Sequence, residues 1–202
     1  EINWEEKEKE LKYLLNEYKN NSYNNWDCII PVSGGRDSYY IVDLIKNKYK
    51  MNPLLVTYNK HYNSHIGNRN LAYLKTIFDF DHINFTVDPE IAKNLTRYTL
   101  KEFGSIYWHC ITGEMVFPVR IAVNFKIPLI IWGVHQGVDQ VGMYSHHDFV
   151  EMNRRYRIEH DMMGYTAEDM IGDESSLSEN DLGPYIYPHD NELEAIGVRG
   201  IF

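Results

Sequence analysis

The chain has 202 residues, and its 20 Lys and Arg against 29 Asp and Glu give a formal net charge of −9. This acidic balance disfavours nucleic acid as a partner, because proteins that bind a phosphate backbone usually present a basic surface. With 44% hydrophobic residues the chain has the composition of a globular domain, and no apolar run approaches the roughly 20 residues that span a bilayer.

Helices and strands are predicted to alternate along the chain, because apolar residues recur first at helical spacing and then in short β-rich runs. An amphipathic helix is expected over 4–19, before an Asn-rich turn. The predicted strands cover 27–32, 54–58, 82–87 and 128–132. One predicted helix follows the first strand and ends near 49. Further helices are predicted over 68–78, 89–103 and 113–125, and residues 146–171 are expected to be mostly helical.

This alternation indicates an α/β fold with a doubly wound parallel sheet. We divide the chain into an N-terminal helix (1–24), an α/β domain (25–145) and a mostly helical C-terminal segment (146–202) that contributes to acceptor binding. Ligands of such sheets bind beyond the carboxyl ends of the strands, where the strand order reverses. The strand ends at 33–38, 57–59 and 133–140 are therefore expected to converge on one site.

The first strand runs into a glycine-rich turn and a helix, with the sequence Pro-Val-Ser-Gly-Gly-Arg-Asp-Ser over 31–38. Such a turn directs backbone N–H groups and a helix N-terminus at one point, which suits an anion. Gly34 and Gly35 permit the tight turn, Ser33 and Ser38 offer hydroxyl groups, and the alternative is a simple helix cap. It is not a Walker loop, because it lacks the required Lys.

Two charged residues in this turn are candidate catalytic groups. Arg36 offsets phosphate charge, and Asp37 is expected to hold Mg²⁺, because a bare carboxylate would repel a phosphate. Val32, on the amino side of the turn, is assigned to the same nucleotide site.

The other strand ends supply further candidates. Val56, Thr57 and Tyr58 end the second strand and are assigned to nucleotide binding, as is Gly133 after the fourth. Asp139 is a candidate to share magnesium with Asp37, and His135 is a candidate acid or base, although both can also belong to a plain connecting loop.

Three more residues are candidate substrate contacts. His61 follows the second strand, and Arg155 lies in a basic run, 154–157, that is expected to be a solvated helix face or a carboxylate clamp. His109 precedes Cys110, but sequence neighbours rarely face each other, so we expect a structural thiol there and in the first strand at Cys28. The two cysteines form neither a disulfide framework nor a zinc pair, which favours a cytoplasmic protein.

The 33–38 turn is the S-G-G-x-D-S pattern of the ATP pyrophosphatases, or PP-loop enzymes. The chain further resembles the N-acetyl sugar amidotransferases in the segments 27–40, 52–57, 66–71, 127–133, 187–190 and 197–202. This resemblance implies an adenine nucleotide alpha-hydrolase-like (HUP/PP-loop) fold with ATP bound by residues 25–145. The family's loop carries Lys where this chain has Arg36.

The resemblance also implies a reaction. Such enzymes use ATP and Mg²⁺ to adenylate the amide oxygen of an acetamido sugar, releasing pyrophosphate. Ammonia from a separate glutaminase subunit then displaces AMP and leaves an acetamidino group, in surface-polysaccharide or flagellin glycan synthesis. Full-length relatives extend beyond both ends of this chain, so we expect a fragment, which by itself can be inactive.

Two other functions fit the same turn. A tRNA-modifying enzyme of the thiolase or lysidine type would share the fold, but its basic surface and paired cysteines are not found in the sequence. A non-catalytic nucleotide-binding domain would bind ATP without cleaving it and would not need Asp37.

Overall fold

A computed structural model describes residues 3–19, 25–134, 151–152, 157–172 and 175–201. Three candidate residues, His135, Asp139 and Arg155, lie outside the described residues. Their assignments stay predictions, as does the division of the chain into three regions.

Five parallel strands form the central sheet: β1 (Cys28–Pro31), β2 (Pro53–Asn59), β3 (His82–Thr86), β4 (Leu129–Ile131) and β5 (Arg199–Ile201). Their spatial order is β3-β2-β1-β4-β5. The chain therefore adds β2 and β3 on one side of β1 and then adds β4 and β5 on its other side. The predicted doubly wound parallel sheet is confirmed.

Helices flank this sheet. They are α1 (Trp4–Tyr18), α2 (Arg36–Asp43), α3 (His65–Phe78), α4 (Pro89–Phe103), α5 (Trp108–Phe125), α6 (Glu179–Leu182) and α7 (Asp190–Ile196). A π-helical turn, Leu44–Lys48, prolongs α2, and another spans Arg157–Asp161. Short 3₁₀ turns cover Glu168–Met170 and Gly183–Tyr185.

The three central strands, β1, β2 and β4, are buried on both faces, and their side chains alternate between two cores. In β1, Cys28 and Ile30 join the core that also holds Leu15 of α1, whereas Ile29 joins the core that holds Trp108 of α5. The register pairs Ile29 with Leu54 of β2 and with Ile130 of β4. Two covered faces are what parallel strands require, since their crossover helices pack on both sides.

Local sequence signals set several helix ends. The Asn3 and Ser64 side chains accept hydrogen bonds from N–H groups in the first turns of α1 and α3. Asp88 caps α4 in the same way, with Pro89 as the first helical residue. Gly104 ends α4 at φ +75°, in the left-handed region where glycine carries no penalty.

The structure differs from the sequence prediction mainly near the C-terminus. Strand β5 was not predicted, and it pairs with β4 at the edge of the sheet. In the described part of 146–171 the helical elements are one π-helical and one 3₁₀ turn, so the mostly helical prediction is wrong for those residues. Helix α5 begins at Trp108, five residues before the predicted start at Gly113, which lies inside the helix.

Within the ranges that the structure describes, no helix combines the length and the apolar character needed to cross a membrane.

Candidate functional site

The strand order reverses beside β1, between β1 and β4, and a cavity of about 360 Å³ opens at the carboxyl ends of the strands there. This size lies within the usual range for small-molecule sites. Residues predicted to bind nucleotide line it from three strand ends: Val32, Ser33, Ser38, Val56, Thr57, Tyr58 and Gly133. The structure therefore brings together the described parts of the strand ends that the sequence predicted to converge, with residues from 33–38, 57–59 and 133–134 lining one cavity. We call this space the first cavity.

The loop between β1 and α2 is held by its own hydroxyl groups. The Ser33 N–H donates to Ser38 Oγ at 3.0 Å, and the Gly35 N–H donates to Ser33 Oγ at 3.4 Å. Gly34 has φ +75°, a left-handed conformation that favours glycine. A Cβ on Gly34 would also lie 2.8 Å from the backbone nitrogen of Leu71 in α3. Only glycine fits this position, because α3 packs directly against the loop.

Helix α2 presents its N-terminus at the end of this loop. The first N–H groups of a helix have no partner within the helix, and they carry the positive end of its dipole. Arg36 and Asp37 lie in the first turn with largely exposed side chains, and Arg36 Nε lies 3.3 Å from Asp37 Oδ1. Both candidate catalytic residues are thus accessible to a ligand at the loop.

The end of β2 is fixed to the loop by a buried hydroxyl. Thr57 Oγ1 donates to the carbonyl oxygen of Val32 at 2.6 Å and accepts from Nε2 of His82 at 2.9 Å. Burial lowers the pKa of His82, which keeps the ring neutral, and the nearby charge of Lys75 acts in the same direction. Thr57 therefore positions the strand ends, since its hydroxyl is already engaged.

Tyr58 packs across the sheet face rather than presenting a free hydroxyl. Its hydroxyl lies 2.7 Å from that of Tyr185, and both side chains are buried. A Cβ on Gly113 of α5 would lie 2.4 Å from the Tyr58 ring, so the glycine allows α5 to approach β2. Tyr58 lines the first cavity, and its hydroxyl joins the C-terminal segment to the α/β core.

Sequence reasoning missed an ion pair in the first cavity. Lys60 follows β2 and donates to Glu114 of α5 at 2.7 Å, and both side chains are about one-third exposed. Burial alone would lower the pKa of Lys60, but the hydrogen bond to Glu114 and its negative charge raise it. The available signal was a charged residue directly after a buried strand. It was overlooked because its partner lies in a helix distant in sequence.

His61 and His109 do not line the first cavity. They lie together in a second cavity of about 330 Å³, between the loop after β2, helix α4 and the start of α5. Lys60 lines both cavities. The two predicted substrate contacts are therefore adjacent to each other and next to the candidate nucleotide site.

Three further expectations concern burial. Cys28 and Cys110 are buried, and burial raises the pKa of both thiols, that of Cys110 to about 11, which fits the predicted structural thiols. The prediction of a solvated face is wrong at Arg157, which is only 6% exposed. Its guanidinium donates to the Met152 carbonyl at 3.0 Å and lies over the Tyr187 ring.

No protein-family model matches this chain. A stretch of 60 residues, 30% of the chain, is 37% identical to an uncharacterized protein of Methanocaldococcus jannaschii. That stretch spans about a fifth (21%) of the length of this relative.

Solved structures match much more of the chain. The NH3-dependent NAD synthetase of Campylobacter jejuni aligns with a TM-score of 0.53 at 12% identity, over 96% of this chain and 72% of its own. The NMN synthetase of Francisella tularensis aligns with a TM-score of 0.52 at 15% identity, over 98% and 83%. Both synthetases have the adenine nucleotide alpha-hydrolase-like (HUP/PP-loop) fold. The predicted adenine nucleotide alpha-hydrolase-like fold is confirmed, and at these identities the likeness is one of fold.

Proposed function

We propose that this protein is an ATP-dependent synthetase that cleaves ATP to AMP and pyrophosphate and amidates the acetamido group of a sugar. The observation that carries the proposal is the position of the Ser33–Ser38 loop. It lies at the carboxyl end of β1 and borders the cavity at which the strand order reverses. The fold shared with two synthetases supports the same class of enzyme.

The loop and α2 would bind the phosphates of ATP. Their N–H groups and helix dipole stabilise negative charge. The guanidinium of Arg36, which is exposed beside the loop, would offset further charge. Val56 and Gly133, on the neighbouring strands, line the cavity that the loop borders. The nucleoside would lie against them.

The donor set fits one magnesium ion held together with phosphate oxygens. Among the described residues, no group of three or more His, Cys, Asp or Glu side chains could form a protein cage for a metal. Mg²⁺ usually binds one or two carboxylates together with substrate phosphates and waters, and the exposed Asp37 carboxylate meets that need. Bound there, the ion would neutralise charge on the phosphates. Asp139 remains a proposed second ligand.

The proposed reaction has two steps. The amide oxygen of the acetamido group attacks the α-phosphorus of ATP, the bond to pyrophosphate breaks, and the amide nitrogen loses its proton. Ammonia then adds to the activated carbon, AMP leaves with the C–O electron pair, and the added nitrogen gives up a proton. The product is an acetamidino group. The first cavity holds the leaving groups, while Lys60 and Glu114 lie where an acceptor would approach from the second cavity.

The source of ammonia is part of the proposal. We propose a separate glutaminase subunit in the cytoplasm, as the resemblance to N-acetyl sugar amidotransferases implies. The NAD synthetase of Campylobacter jejuni is NH3-dependent by its name, which supports ammonia as the nucleophile on this fold.

The test is pyrophosphate release by the full-length protein with ATP, Mg²⁺ and ammonium, with and without a panel of acetamido sugars. We expect release that depends on one of these sugars, and mass spectrometry should show replacement of the amide oxygen by nitrogen. Release that requires tRNA instead would contradict the sugar acceptor and support the tRNA-modifying alternative. ATP binding without release under any condition would support a non-catalytic nucleotide-binding domain.

A further inference from the structure

We propose that the second cavity binds the acceptor and that this acceptor carries an anionic group, a phosphate or a carboxylate. That the ligand is the acceptor rests on the proposed function. That the cavity binds an anion rests on the residues of the cavity alone. The proposal names a substrate class for the cavity next to the proposed nucleotide site.

The charge of the lining carries the argument. Three cations line this cavity, Lys60, Lys93 and Arg97, together with the imidazoles of His61 and His109. None of its described lining residues is Asp or Glu. The chain as a whole has a net charge of −9, whereas the charged side chains among the described lining residues, Lys60, Lys93 and Arg97, are all basic. A cavity lined by one sign of charge concentrates ligands of the opposite sign.

Two of these cations, Lys93 and Arg97, have no acidic partner among the described residues that line the cavity. Arg97 Nη1 donates to the neutral Asn94 side chain at 3.3 Å. Lys93 pairs with Glu90 at 3.3 Å, but both side chains are more than half exposed, so the pair is weak and easily exchanged for a ligand. A guanidinium and an ammonium one helical turn apart on α4 suit the oxygens of phosphate or carboxylate.

His109 provides a buried polar group in the same wall. Its side chain is 1% exposed, and burial, with a smaller effect from the charge of His61, lowers its pKa to about 4. Among the described residues its ring nitrogens reach one hydrogen-bonding group, the Cys110 thiol, at 3.5 Å from Nε2. A thiol is a weak partner, so a neutral N–H of His109 remains able to donate to an oxygen of the ligand.

His61 is held in a fixed orientation opposite. Its Nε2 donates to the Val87 carbonyl at 2.7 Å, and its backbone N–H donates to the Asn59 side chain at 3.1 Å. His61 also has φ +66°, an uncommon conformation for a residue other than glycine. The loop after β2 is therefore shaped to place this imidazole at the cavity.

Lys60 connects the anion site to the nucleotide site. It lines both cavities, and its ammonium is bound to Glu114 at 2.7 Å. A ligand anchored by its anionic group near Lys93 and Arg97 can extend past Lys60 towards the first cavity. This arrangement would place the reacting amide at the junction and the charged end away from the phosphates of ATP.

The experiment follows the two cavities separately by NMR at pH 7.5 and 0.15 M salt. With α,β-methylene-ATP present, inorganic phosphate, acetate and the neutral acetamide are titrated while the ring signals of His61 and His109 are recorded. The amide signals of Gly34 and Gly35 report on the nucleotide. The variant Lys93→Gln/Arg97→Gln removes two exposed cations from the second cavity. The control Lys12→Gln/Lys101→Gln removes two exposed lysines that do not line it.

We expect phosphate or acetate, but not acetamide, to shift both ring signals saturably. The cavity variant should weaken this binding about tenfold, as expected for the loss of two charge-assisted contacts, and the control by less than about twofold. Ring shifts with phosphate alone, or with acetate alone, would identify the anionic group that the cavity binds. Equal weakening in both variants, or ring signals unaffected by either anion, would overturn the anion site. Ring shifts without any nucleotide-dependent shift at Gly34 and Gly35 would leave the anion site standing and contradict the proposed function.

Discussion

The two cavities that meet at Lys60 are built in different ways. The first lies at strand ends, a helix N-terminus and a loop closed by Ser33 and Ser38, and the paired side chains of Lys60 and Glu114 also line it. The second is built from side chains of the loop after β2 and of α4, and its charges come from Lys and Arg.

This difference separates what the fold dictates from what this sequence adds. Any chain with this sheet order places strand ends and a helix N-terminus at the reversal point. The basic side chains of the second cavity are not required by the fold. We therefore expect the first cavity to set the chemistry of ATP and the second to select the acceptor. The following variants test each half, from the largest expected effect to the smallest.

Of the variants proposed for the first cavity, Gly34→Ala should lower the free energy of unfolding most. The alanine would be strained at φ +75°, and its Cβ would lie 2.8 Å from a backbone atom of α3. We expect a loss of about 3 kcal/mol in the free energy of unfolding, measured in urea. Gly104→Ala is the matched control, since Gly104 has the same φ and open space around it, and it should lose only about 1 kcal/mol. Equal losses would show that α3 does not press on the loop.

The second cavity should make stability depend on pH. The pKa of His109 is about 4 in the folded protein because its ring is buried, against about 6.5 when unfolded. The unfolded state therefore binds a proton first, and stability falls as pH decreases from about 6.5 to 4, by on the order of 3 kcal/mol. His82, whose pKa burial also lowers, adds to this slope.

Denaturation midpoints between pH 4 and 7 provide the measurement. His109→Gln should flatten the slope without removing it, because His82 remains. His65→Gln changes an exposed histidine and should leave the slope as it is. A slope unchanged by His109→Gln would contradict a buried, neutral His109.

Asp37→Asn should leave the fold intact, because the side chain is 74% exposed. It should lower the rate of pyrophosphate release at least about tenfold, since it removes the proposed magnesium ligand. Asp43→Asn, at the other end of α2, is the control for loss of one exposed carboxylate and should retain activity. Near-normal turnover of Asp37→Asn would mean that magnesium is held elsewhere.

Thr57→Val tests the link between β1 and β2. Valine keeps the shape but leaves the Val32 carbonyl and the His82 N–H without this partner. We expect a loss of about 1 to 2 kcal/mol in unfolding free energy and weaker ATP binding. Thr76→Val removes an exposed hydroxyl bond within α3 and should cost less than about 0.5 kcal/mol. A loss no larger than that of the control would exclude a structural role for the Thr57 hydroxyl.

The sequence was sufficient to predict the sheet and the Ser33–Ser38 loop, because buried runs and a Gly-Gly turn are local signals. It did not reveal β5, where Arg199 and Gly200 interrupt the apolar pattern. A Cβ on Gly200 would lie 2.7 Å from Nε1 of Trp132, so the glycine is required by a contact with a distant residue. Local patterns contain no information about such a contact.

The site shows the same division. Ser33, Thr57 and Gly133 were found because each lies at the end of a predicted strand or directly after it. The pairing of Lys60 with Glu114, and the meeting of His61 with His109, depend on how α5 packs against the loop after β2. That packing is set by Gly113 and Tyr58 in the folded core.

The most direct test of the central claim uses ATP labelled at the α-phosphorus, incubated with the full-length protein, Mg²⁺, ammonium and the acetamido-sugar panel. The account predicts that all product label appears in AMP, together with one equivalent of unlabelled pyrophosphate. Label in ADP, with release of orthophosphate, would contradict cleavage between the α- and β-phosphates and with it the proposed function.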